Sequence, residues 1–184
     1  MNKMALIVVD FQEGLVAENP FNKENTINNI ELLIKECRDN NVEVIYARHD
    51  GGKGDELEFG SKGWQIYNQV VPKKGEKIIE KQYNSAFKNT ELKEYLDEKS
   101  IDTIVLAGMQ TEYCIDTTCK VAFEHNFKLI IPEETNTTFD NEFMSGKDIY
   151  EYYNFKIWKN RFAKLEKVQN VIELIHNVDG QSES

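Results

Sequence analysis

The run Val105-Leu-Ala-Gly-Met-Gln-Thr-Glu-Tyr-Cys114 starts as a buried strand, breaks at Gly108 and continues as a helix that carries a thiol near its first turn. A helix start offers free backbone N–H groups and positive dipole potential, which ease the ionisation of a thiol placed there. The same alternation extends along the chain in both directions. Upstream, Met4-Ala-Leu-Ile-Val-Val9 is an apolar run of strand length, as a parallel strand covered on both faces requires. Residues 24–40 place Ile27, Ile30, Ile34 and Cys37 on one helical face, and residues 42–47 and 77–80 read as strands. A helix led by Thr90 covers 91–96, and a strand covers 102–107. Downstream lie a helix over 112–125, a strand over 128–131 stopped by Pro132, and a helix near 145–153. A strand over 162–165 and a helix through Val168, Val171, Ile172 and Ile175 complete the series. Six strands separated by helices predict an α/β fold: a six-stranded parallel sheet between two helical layers.

Composition sets outer limits. A chain of 184 residues that is 40% hydrophobic is expected to form one domain, here 1–178, with a polar, frayed tail over 179–184. A net charge of −10 argues against nucleic acid or an anionic membrane surface as partner. No run is long enough to span a membrane, and Met1-Asn-Lys-Met lacks the apolar segment of a secretory signal. Three cysteines without an export signal are expected as reduced thiols in the cytoplasm. The Asn136-Thr-Thr138 sequon has no meaning there. No dinucleotide fingerprint follows the first strand, and Gly51-Gly-Lys-Gly54 lacks the spacing of a phosphate loop.

In an open parallel sheet, ligands bind beyond the C-terminal strand ends, where the strand order reverses. Three residues with chemistry fall at such ends: Asp10, Lys81 and Cys114. Each has two readings. Asp10 is either a turn residue or a general base for the thiol. Lys81 is either a solvated surface lysine or the cation that steadies a thiolate and a carboxylate. Cys114 is either a small core residue or a nucleophile. Cys37 and Cys119 read as packing, and the Cys114–Cys119 spacing fits neither a redox pair nor a zinc site.

Three segments together resemble the isochorismatase-like cysteine hydrolases. Gly108-Met-Gln-Thr-Glu-Tyr-Cys-Ile-Asp-Thr-Thr-Cys119 is similar to the nucleophile motif, Val8-Val-Asp10-Phe-Gln12 to the strand-one signature, and Glu80-Lys81-Gln-Tyr-Asn-Ser-Ala-Phe87 to the lysine segment. The order and spacing match, and the resemblance runs to about Ile175. It implies a Rossmann-like six-stranded parallel sheet. It also implies Asp10 as base, Lys81 as electrostatic partner and Cys114 as nucleophile. A cis peptide is implied at Met109–Gln110, with an oxyanion hole formed by the N–H groups of Gln110 and Cys114. Relatives are commonly dimers, tetramers or octamers, so a homo-oligomer is expected.

The family includes nicotinamidases, N-carbamoylsarcosine amidases, isochorismatases and a streptothricin-hydrolysing branch. Nicotinamidases hold a metal with an Asp and several His after strand two. Here that region, Arg48-His-Asp-Gly-Gly-Lys-Gly-Asp55, has one histidine, while His125 and His176 lie far along the chain. No metal and no cofactor are therefore expected. Isochorismatases proper often lack the cysteine, so its retention favours attack on an acyl carbon. The expected activity is hydrolysis of a C–N bond in a small amide or lactam. The alternatives are vinyl ether hydrolysis, or a non-enzymatic thiol switch on the same fold. Gln12, His49, Trp64, Tyr83, Phe87 and Tyr113 are the candidate substrate-binding residues.

Overall fold

The computed structural model describes residues 3–179. Most of the tail assigned to 179–184 lies outside them; Asp179 is the last residue of the C-terminal helix.

The sheet is built from β1 (Lys3–Val9), β2 (Glu43–His49), β3 (Lys77–Lys81), β4 (Ile101–Met109), β5 (Lys128–Pro132), a two-residue β6 (Asn136–Thr137) and β7 (Lys164–Glu166). Among the described residues these strands all pair in parallel, in the order β3-β2-β1-β4-β5-β7, with β6 beside the end of β4. The helices are α1 (Glu13–Ala17), α2 (Lys23–Asp39), α3 (Leu92–Glu98), α4 (Asp116–Glu124), α5 (Gly146–Glu151) and α6 (Val168–Asp179).

The three layers follow from the side-chain alternation of the strands. In β1, Leu6 and Val8 face one side, packed with Ile27, Ile30 and Ile34 of α2 and Val171, Ile172 and Ile175 of α6. Ala5, Ile7 and Val9 face the other, packed with Leu92 and Leu96 of α3 and Cys119 and Ala122 of α4. These five residues, Ala5 to Val9, are at most 1% exposed. Each large aliphatic side chain so buried contributes roughly 1.5–3 kcal/mol. A polar residue in this run would lose that and strand an unpaired group between helices. Cys37 and Cys119 are buried in the two cores, as packing residues should be.

Two local features differ from the sequence expectation. The helix after β4 does not start as an α-helix: Thr111–Ile115 is a π-helical turn, and α4 begins only at Asp116. A second π-helical stretch, Tyr152–Trp158, continues α5. The last strand starts at Lys164 because Arg161, Phe162 and Ala163 all donate to the Trp158 carbonyl in a tight turn. The long segment between β2 and β3 is also held in place. Glu13 and Gly14 donate to the carbonyls of Gln65 and Gly63, and Tyr67 donates to Phe11, so the segment lies along the chain that leaves β1.

Candidate active site

The strand order reverses between β1 and β4, and the candidate residues gather at that crevice. Asp10 leaves β1 with φ 49°, a left-handed conformation that Asp tolerates better than most residues, and its N–H donates to Ala47 at the end of β2 (2.8 Å). On the other side of β1, Gly108 pairs with Val9 at φ 122°. A Cβ there would stand 2.0 Å from the Val9 carbonyl oxygen, so only glycine allows this approach. The next peptide, Met109–Gln110, is cis, and the π-helical turn then carries Cys114 back over the strand ends.

A fully buried polar pair anchors that turn. The side-chain amides of Asn136 and Asn154 donate to each other at 2.9 and 3.0 Å. Asn136 Oδ1 also accepts from Thr111 Oγ1 at 2.8 Å.

Lys81 joins the centre. Its side chain is wholly buried, and Nζ lies 2.6 Å from Asp10 Oδ2. The same Nζ donates to Cys114 Sγ at 3.4 Å and to the Tyr83 carbonyl at 3.0 Å, and stands 3.3 Å from His49 Nδ1. Asp10 Oδ1 is buried and, among the described residues, has no hydrogen-bond partner. The ammonium therefore bridges the carboxylate and the thiol, and one carboxylate oxygen is left over.

The electrostatics correct one expectation. Cys114 was expected to ionise easily at a helix start. Instead its pKa is raised: burial dominates, the Asp10 carboxylate adds to it, and the attraction of Lys81 is the smaller effect. Nor does Cys114 occupy the first turn of an α-helix; it is the fourth residue of the π-helical turn. The shift favours the protonated thiol, which makes a neighbouring base useful for its ionisation. Burial, then the Lys81 charge, lowers the His49 pKa, which favours the neutral imidazole.

The remaining candidates divide by position. Gln12 is fully buried and works as a brace: Nε2 donates to the carbonyls of His49 and Trp64, and Oε1 accepts from the His49 N–H, all at 2.9 Å. Trp64 is buried beneath the Arg48 guanidinium, 3.3 Å above its ring. Phe87 is no wall of an open pocket: it packs in the core against Phe127 and His125. Tyr83 and Tyr113 are about half exposed. Tyr83 borders a cleft of about 240 Å³ with Lys81, Asp50, Phe59 and Lys88. Asn84, which the sequence reading passed over, places Oδ1 3.8 Å from Cys114 Sγ. Its position three residues after Lys81 was the available signal.

Among the described residues no three His, Cys, Asp or Glu side chains are grouped to hold a metal ion. His49 faces the Lys81 ammonium, while His125 packs against Phe87 and His176 meets Glu36, so the donor set does not fit the metal of nicotinamidases.

Relatives share this arrangement of chain and sheet. A solved isochorismatase family protein superposes with a TM-score of 0.83 at 27% identity, over 89% of this chain and 98% of its own. A secreted isochorismatase effector of Verticillium dahliae is 29% identical over 70% of this chain and 70% of its own. An N-carbamoylsarcosine amidase of Arthrobacter is 26% identical over 95% of this chain and 72% of its own. The family model of the isochorismatase domain matches residues 4–149, from β1 through the site to α5, and on that match the chain belongs to the isochorismatase family.

Proposed function

We propose that this hydrolase cleaves a C–N bond of a small carboxamide or lactam through a thioester on Cys114. The observation that carries the reading is the buried ammonium of Lys81 between Asp10 Oδ2 and Cys114 Sγ, with Asp10 Oδ1 free to take a proton. The likeness to an N-carbamoylsarcosine amidase supports the same bond type.

Asp10 accepts the S–H proton, and Lys81 stabilises the thiolate as it forms. The sulfur attacks the carbonyl carbon, and the C=O electron pair moves to an oxyanion held by the N–H groups of Gln110 and Cys114. The oxyanion collapses, the C–N bond breaks, and Asp10 passes its proton to the leaving nitrogen. Asp10 then takes a proton from water, whose oxygen attacks the thioester. Collapse breaks the C–S bond, releases the acid and returns the thiol with the proton from Asp10. The burial of the sulfur favours this reading over a redox switch, which needs an accessible thiolate.

Ammonia release across a panel of small carboxamides, with intact-mass detection of the acyl-enzyme, tests the proposal. Cys114→Ala is expected to lower turnover by about 10³-fold or more. Full turnover in that variant would exclude the mechanism.

A further inference from the structure

Lys81 has three N–H groups and no acceptor. Four acceptors lie around its Nζ: Asp10 Oδ2 at 2.6 Å, the Tyr83 carbonyl at 3.0 Å, His49 Nδ1 at 3.3 Å and Cys114 Sγ at 3.4 Å. The carboxylate and the carbonyl are nearest and are the stronger acceptors, so they take two hydrogens. One remains for two groups. Because an ammonium only donates, His49 can meet it only through an unprotonated Nδ1, which places the imidazole proton on Nε2.

We propose that His49 and Cys114 compete for the third N–H of Lys81, which makes His49 a positioning residue that sets how readily the nucleophile ionises. With the hydrogen on His49, the sulfur keeps its own proton and its long contact to Asn84. With the hydrogen on sulfur, the thiolate gains a charge-assisted hydrogen bond, and His49 loses one. A substrate group that engages His49 would therefore release Lys81 to the thiol when the site is filled. The charged groups that act on His49 are Lys81 from β3, Asp10 beyond β1, and Asp50 and Asp55 from the segment after β2. Protonation of His49 at low pH removes the competing acceptor. The functional meaning rests on the hydrolase reading above, but the competition itself is measured on the thiol.

The experiment follows iodoacetamide alkylation of Cys114 against pH by peptide mass mapping, in the wild type, His49→Ala and His49→Asn. Loss of the competitor in His49→Ala is expected to lower the apparent thiol pKa; each unit of fall raises the thiolate fraction at neutral pH about tenfold. In His49→Asn, an amide oxygen in place of Nδ1 is expected to restore much of the wild-type curve. A His49→Ala curve that is unchanged or moves to higher pH, in protein with native circular dichroism, overturns the proposal.

Competition is reciprocal, which gives a check that needs no change at His49. In Cys114→Ala, the third hydrogen belongs to His49 alone, so its imidazole pKa, followed by NMR, is expected to fall. An unchanged or raised value also overturns the proposal. Absence of ammonia release from every carboxamide would count against the amidase reading only, since the thiol and imidazole titrations decide this inference on their own.

Discussion

At Asp10 one carboxylate has two opposed effects on Cys114. It raises the thiol pKa, adding to burial, and it is the base that the proposed reaction needs to remove that proton. The two effects separate in Asp10→Asn. The amide cannot accept the proton, so amide turnover is expected to fall by at least about 10²-fold, the usual range for a general base. The same change removes a negative charge beside the sulfur, so the thiol pKa is expected to fall and alkylation at neutral pH to speed up. A more reactive thiol in a less active enzyme is the signature, read by iodoacetamide kinetics beside ammonia release. If both rates fell together, Asp10 would be holding the site in shape rather than moving a proton. Lys81 acts in the opposite sense, because its charge lowers the thiol pKa.

At the scale of the element, the site depends on how the turn after β4 is held. Thr111–Ile115 is a π-helical turn whose first residue donates to Asn136, and Asn136 pairs with Asn154 in the buried interior. Replacing Asn154 with Leu keeps the branched outline but leaves the Asn136 amide without its partner and removes the side-chain bond to the Tyr150 carbonyl. Each orphaned buried group costs about 1–3 kcal/mol, so a lower urea midpoint is expected. Turnover should fall as well, although Asn154 touches none of the three reacting residues, because the turn carrying Cys114 loses its anchor. An Asn154→Leu protein of unchanged stability would show that the pair is incidental. These elements also mark the limit of what the sequence reveals. The strands were legible because β1, β4 and β5 are buried on both faces and therefore read as unbroken apolar runs. Asp10, Lys81 and Cys114 were legible because parallel strands bring their C-terminal ends to one edge. The π-helical turn, the two-residue β6 and the Asn136–Asn154 pair carry no periodicity of their own. They come from pairing between segments distant in the chain. The raised pKa of Cys114 escaped notice for the same reason, since burial is a property of the assembled layers.

At the scale of the whole molecule, the long segment before β3 is fastened to the elements around it. Part of that work falls to Arg38 of α2, which forms a two-point pair with Glu76 at 2.8 Å for each contact. It also reaches the Tyr46 hydroxyl on β2 and the Val71 carbonyl. Glu76 accepts further from the Lys73 N–H at 2.7 Å. Burial works to raise the Glu76 pKa, but the hydrogen bonds from Arg38 and Lys73 outweigh it, and the folded value lies below the ordinary 4.5. The sign then follows from linkage. A carboxyl whose folded pKa is depressed contributes its full stability above the unfolded value, and that contribution disappears as the pH falls through the folded value. Glu76→Gln should thus be less stable than wild type at pH 7 by about 1–2 kcal/mol, a typical loss for a charge-assisted pair that is partly open to solvent. The gap should begin to narrow as the pH drops below about 4.5, where the unfolded carboxyl takes up its proton, and close as the pH falls through the lower folded value. Urea unfolding at pH 7, 5 and 3.5 measures it. A gap that stayed constant across this range would mean that the pair contributes through shape alone, and its charge would have no part in fastening the segment to the sheet.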